Sequence, residues 1–189
     1  GRVDLAAVNG PDAVVLSGAE RDIRTVAAEL SAAGLQTTTL RVGRAFHSAL
    51  MEPVLDRFTA VVARLRPQPP EIPVISDVTG RVATAEELAS PDYWARHLRH
   101  TVRFHDGVRT LDGLGVTRVV EVGPGATLTS LASELVPTAI ATLPGRGDEA
   151  HEVVEAVAAA FVHGVTIDWD RMLPGRRRVE LPTYAFQRR

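Results

Sequence analysis

His47 is the residue best placed for acid–base chemistry. It stands at a predicted strand-to-helix junction, directly ahead of Ser48 and a long run of apolar residues at helical spacing. The unpaired amides that open a helix carry partial positive charge, which disfavours protonation of an adjacent imidazole. A general base must be unprotonated, and one in position is worth roughly 10²–10⁴ in rate. The same position also suits a histidine that only packs at a helix entrance, the commoner case on position alone. His97, His100 and His105, with Asp106, make a second candidate, a zinc site built from imidazoles one helical turn apart. Arg96, Arg99 and Arg103 interleave with them, so a cation would meet positive neighbours, and a solvated polar helix face is the favoured reading.

Weaker signals remain. Gly123-Pro124-Gly125 falls between a strand and a helix, where backbone amides can cradle an anion. It lacks the third glycine of a dinucleotide fingerprint and the lysine of a P-loop, so an ordinary close-packed turn is expected. Asp168, Asp170 and Glu180 lie among Arg171, Arg176, Arg177 and Arg178, a setting for surface ion pairing. No Gly-x-Ser-x-Gly elbow occurs, so a serine nucleophile activated by His47 would come from sequence outside these residues.

Composition narrows the field. The 189 residues are 45% hydrophobic and 23% charged, the balance of a globular chain. A net charge of −2 gives no electrostatic footprint for nucleic acid. The absence of cysteine removes disulfides, thiolate metal sites and cysteine nucleophiles. No apolar run approaches membrane-spanning length, and residues 1–20 lack a signal-peptide layout, so a cytoplasmic setting is expected.

The elements that must position His47 read as alternating strands and helices. Apolar runs at 5–8 and 13–16 flank Asn9-Gly10-Pro11-Asp12, a hairpin signal. Ser17 with Glu20 reads as a capping box for a helix ending near Gly34, and 35–42 as a strand. Ser48 caps a helix whose stripe runs from Leu50 through Val54, Leu55, Phe58, Val61 and Val62 to Leu65, stopped by Pro67. A short strand at 72–76, a turn at 77–81 and a capping box of Thr84 and Glu87 come next, and Ser90-Pro91 opens another helix. A buried strand is expected at 119–122, a helix at 126–135 and a strand at 139–143. Composition shifts at 144–148, before a helix carrying Val153, Val157 and Phe161, a strand at 165–169 and a tail, 179–186, that would lie extended against another surface. Both ends read as cuts.

Several motifs now fall into order. They are Asn9-Gly10-Pro11, then Arg44-Ala45-Phe46-His47-Ser48 with Leu50-Met51-Glu52-Pro53. Tyr93-Trp94, Leu98-Arg99 and Val102-Arg103-Phe104 follow, then Glu121-Val122-Gly123-Pro124, and Leu181-Pro182-Thr183-Tyr184-Ala185-Phe186-Gln187-Arg188 closes the chain. Together they resemble the C-terminal part of the acyltransferase domain of a modular type I polyketide synthase, with its post-acyltransferase linker.

That resemblance implies an α/β fold: part of an α/β-hydrolase-like large subdomain, half of a ferredoxin-like small subdomain and an extended linker. Residues 1–43 would be the second half of the small subdomain, 44–143 the C-terminal part of the large one, and 144–189 the linker. In the family, a serine attacks the thioester of an extender-unit coenzyme A, and the acyl group passes to the phosphopantetheine thiol of an acyl carrier protein. By this resemblance the domain itself would hold no cofactor and no metal. The resemblance maps the catalytic base onto His47, with a backbone carbonyl near 98–100 taking the other ring proton. It also matches 44–47 to the extender-selecting motif, His-Ala-Phe-His in malonyl-type domains and Tyr-Ala-Ser-His in methylmalonyl-type ones. Phe46 would fill the space of an α-methyl and favours malonyl, a discrimination of about 1–3 kcal/mol; Arg44 departs from both patterns. Partners would be the carrier and ketosynthase domains of the same multienzyme and the missing N-terminal half of the domain, with no nucleic acid and no membrane. The serine would belong to that half, leaving these residues inactive by themselves. A non-catalytic scaffold or docking piece of the synthase is the alternative.

Overall fold

The computed structural model describes residues 3–40, 42–175 and 180. The architecture is α/β. Strands β1 (Val3–Val8) and β2 (Val14–Gly18) pair antiparallel around the predicted turn, where the amides of Asn9 and Gly10 donate to the Ala13 carbonyl. Helix α1 (Glu20–Ala32) follows, without the expected capping box. Ser17 lies inside β2 opposite Asp4, so the ladder engages its backbone and the helix opens after Ala19 with no side-chain cap. The strand expected over 35–42 is irregular coil where described. Leu35, Leu40 and Val42 are each more than half exposed, and among the described residues no strand edge runs alongside to pair with them.

A 3₁₀ turn (Ala49–Met51) leads into α2 (Glu52–Leu65), which Arg66 ends in a left-handed conformation just ahead of Pro67. The strand expected at 72–76 contracts to a single bridge, Ile75 with Val82. That bridge closes a turn in which Gly80, at φ 69°, lies so near α5 (Phe104–Gly113) that a Cβ would stand 2.4 Å from that of Asp106. Helix α5 itself has no counterpart among the expected elements. Thr84 and Glu87 form the capping box of α3 (Ala85–Ala89), and Pro91 opens α4 (Pro91–Arg99). Tyr93 is buried with Ala83 and Leu88, and its hydroxyl donates to that of buried Ser76 at 2.8 Å.

In the second half, β3 (Arg118–Pro124) and β4 (Thr138–Leu143) pair in parallel through the short helix α6 (Thr127–Ala132). Helix α6 stops well before the predicted end at 135, and the chain turns inward to bury Val136 against Val108 and Ala132. The strand predicted as buried is covered on one face only, with Val120 48% and Val122 86% exposed. Parallel strands are ordinarily sandwiched on both faces. Here α6 packs on both strands and α7 (Glu149–Val162) on β4, where Ala156 and Ala160 meet Ile140. The strand expected at 165–169 is absent. Asp168 instead caps a one-turn helix, α8 (Trp169–Met172), by accepting the Arg171 amide, and Arg176, Arg177 and Arg178, expected as ion-pairing partners, fall outside the described residues. The expectation for 179–186 falls, apart from Glu180, outside the described residues.

Candidate active site

His47 is presented by a backbone conformation that side chains rarely adopt. Its φ is 59°, a left-handed geometry that costs a non-glycine residue about 1–3 kcal/mol and persists only where its surroundings enforce it. Its amide donates to the Leu98 carbonyl at 3.1 Å, and Nδ1 donates to the His100 carbonyl at 2.9 Å. A carbonyl can only accept, so Nδ1 carries a proton, and in the neutral ring the Nε2 lone pair is then left for other work. No hydrogen bond among the described residues engages Nε2. The acceptor expected within 98–100 is thus the His100 carbonyl. Leu98 lies in the last turn of α4 and His100 caps it, and carbonyls at a helix C-terminus lack intrahelical partners, which makes them available.

The junction differs from its sequence reading in one respect. The α-helix begins at Glu52, with the 3₁₀ turn intervening, so His47 stands ahead of α2 rather than at its mouth. Helix-terminal fields fade within a turn, and hydrogen bonding is what orients this ring. Ser48 is fully buried; its hydroxyl donates to the Ala45 carbonyl at 2.6 Å and accepts the Leu50 amide. Asp4 on β1 accepts the Ala49 amide through Oδ2 at 3.0 Å and faces Arg99 Nη1 through Oδ1 at 3.4 Å. Arg99 Nε donates to Glu52 at 3.1 Å. Sequence reading missed Asp4, Glu52 and Arg99 as contributors. An acid alone within the apolar strand Val3–Val8 was the available signal.

Of the extender-motif residues, Ala45 is half-buried, while Arg44 is exposed and Phe46 is 50% exposed beside His47. A shallow hollow lined by Glu20, Arg21, Arg24 and Thr25 takes in none of residues 44–48. His97 meets the His47 ring edge-on, centroids 6.2 Å apart, with its Nε2 3.8 Å from Asp77. His105 sits in the first turn of α5, and among the described residues no three His, Asp or Glu side chains converge as metal ligands. The Gly123-Pro124-Gly125 amides are not available to an anion: Gly123 donates to Thr142 Oγ1 and Gly125 to the Leu143 carbonyl.

Glu121 and Glu152, both outside this cluster, ionise more easily than usual. Burial opposes ionisation of Glu121, but the Thr129 amide and hydroxyl and the Leu128 amide outweigh it and hold the carboxyl below its ordinary range. Burial likewise opposes ionisation of Glu152, which is 4% exposed. The amides of Gly145, Arg146 and Gly147 converge on it and, with the Arg146 charge, lower its pKa.

Comparison with known proteins is consistent across sequence and structure. The acyl transferase domain family matches residues 1–159. A spectinabilin polyketide synthase system protein of Streptomyces orinoci is 46% identical over 100% of this chain, which spans 9% of that protein. The acyltransferase domain from the second module of the salinomycin polyketide synthase superposes with a TM-score of 0.86 at 44% identity, covering 98% of this chain and 45% of that one. A malonyl-transacylase solved with a type II polyketide synthase acyl-carrier protein aligns with a TM-score of 0.68 at 27% identity, over 81% of this chain and 50% of that one.

Proposed function

Since the chain belongs to the acyl transferase domain family and its relatives are polyketide synthases, we propose that it supplies the general base and part of the extender-unit pocket of an acyltransferase that moves malonyl from coenzyme A to an acyl carrier protein. The observation that carries this reading is the His47 geometry, with Nδ1 tied to the His100 carbonyl and Nε2 left to accept a proton. The nucleophile is a serine outside residues 1–189, since these hold no nucleophile elbow. As its oxygen bonds to the thioester carbon, Nε2 takes the hydroxyl proton; when the C–S bond breaks, that proton goes to the departing coenzyme A sulfur. In the second half the carrier's phosphopantetheine thiol gives its proton to Nε2 as sulfur attacks the acyl-serine, and the proton returns to the serine oxygen. Every proton removed is handed back, so the enzyme ends as it began.

Residues 44–143 act in this reading as the large-subdomain portion, 1–43 as half of the small subdomain and 144–189 as the linker. Phe46 beside His47 supports malonyl over methylmalonyl, because a ring there occupies the room an α-methyl needs. A preference of about 1–3 kcal/mol is what one methyl can supply. The carrier and ketosynthase domains are the partners.

The test uses the complete acyltransferase domain and radiolabelled malonyl-CoA. His47→Ala is expected to slow acyl-enzyme formation by about 10²–10⁴-fold. An undiminished rate contradicts the base assignment and favours a scaffold role.

A further inference from the structure

We infer that Arg99 is a positioning residue for His47, acting through Asp4 and Glu52; this rests on the reading of His47 as the base. The ring and its acceptors belong to different segments, the 44–48 loop and the end of α4. Hydrogen bonds from His47 to Leu98 and His100 join them on one side only. Arg99, between those two acceptors, closes the circuit on the other side. Its Nε reaches Glu52, the first residue of α2, and its Nη1 reaches Asp4, whose second oxygen holds the Ala49 amide two residues beyond His47. A path therefore runs from His47 through Ala49, Asp4 and Arg99 back to the carbonyls that orient the imidazole. Strand β1 braces the same segment, since Leu5 accepts the Thr101 hydroxyl at 2.7 Å and Ala6 the Val102 amide at 2.8 Å.

The clamp is built for geometry. The Arg99 and Asp4 side chains are 22% and 28% exposed and meet at 3.4 Å, an ion-pair contact partly sheltered from solvent, while Glu52 at 61% adds a solvent-facing arm. Ion pairs this accessible add little to stability. Position is another matter, because a base displaced by about 1 Å loses on the order of 10² in rate. The planar guanidinium offers Nε and Nη1 in fixed, divergent directions to two carboxylates; a lysine ammonium cannot reproduce that span.

Single-turnover acylation of the complete domain, followed as malonyl-CoA is varied, separates this from a structural role. Arg99→Met is expected to lower the limiting acylation rate by about tenfold or more, with the half-saturating concentration within about twofold. Glu52→Ala, which removes only the solvent-facing arm and leaves the fold intact, should lower it by about two- to fivefold, and Arg99→Lys should recover only part of the loss. In a His47→Ala background Arg99→Met should cost nothing further, because its effect passes through the imidazole. An unchanged limiting rate in Arg99→Met, or in Glu52→Ala should Arg99→Met not fold, overturns the inference. So does a loss equally large without His47. If His47→Ala itself acylates at full rate, the base assignment fails first, and that result is read independently of Arg99.

Discussion

Two entrances to helices, 44–48 before α2 and 144–148 before α7, are built on opposite plans. The second is assembled from its own helix. Glu152 gathers the amides of Gly145, Arg146 and Gly147, and Asp148 caps α7 by accepting the His151 amide. Every partner lies within seven residues. The first adds to its local Ser48 cap two ties from afar: Asp4 holds Ala49 across 45 residues, and His100 holds the His47 ring across 53. A locally closed junction is a self-sufficient stop in the chain. One closed by distant segments can fix a side chain relative to the rest of the fold, which is what a base needs.

The contrast predicts a double dissociation. Its largest effect is on rate: His47→Ala should cost the complete domain about 10²–10⁴-fold in acylation while its melting temperature moves little. Glu152→Ala should do the reverse, stranding three amides and lowering the melting temperature by on the order of 5 °C with acylation changed less than about twofold. Calorimetry beside the acylation assay reads both, and a variant that moves both quantities together breaks the comparison.

Acid sharpens it further. The folded state holds Glu152 below its ordinary value of 4.5, so its contribution is complete above that value and is lost as pH falls through the lowered one. Melting curves taken on that descent should steepen less in Glu152→Ala than in the parent, and parallel curves contradict the assignment. The smallest effect is expected at Arg24, paired with Glu20 on the open face of α1, both about four-fifths exposed. Arg24→Met should shift melting by less than about 1 °C and leave acylation alone.

The same division between near and far explains what the sequence revealed. The capping box of Thr84 and Glu87 is legible because its bonds span three residues. Ser17 and Glu20 show the identical spacing and fail, because pairing with Asp4 draws Ser17 into a strand. Residues 35–42 and 165–169 have strand-like composition, but composition cannot supply a neighbouring edge, and none lies alongside among the described residues. Val119 to Val122 read as buried from their apolarity, whereas covering both faces depends on packing that spacing does not encode. His47 was legible from its place ahead of an apolar helical stripe, and the family resemblance supplied the acceptor window at 98–100. The Asp4–Arg99 contact, 95 residues apart, has no local signature at all.

The most direct measurement is the tautomer of the His47 ring in the complete acyltransferase domain, read from its nitrogen-15 shifts and assigned by comparison with His47→Gln. The account predicts a pyrrole-like, protonated Nδ1 bonded to the His100 carbonyl and a pyridine-like Nε2 with a free lone pair. A proton found on Nε2 with Nδ1 bare would contradict it, because the nitrogen meant to receive the serine proton would already carry one.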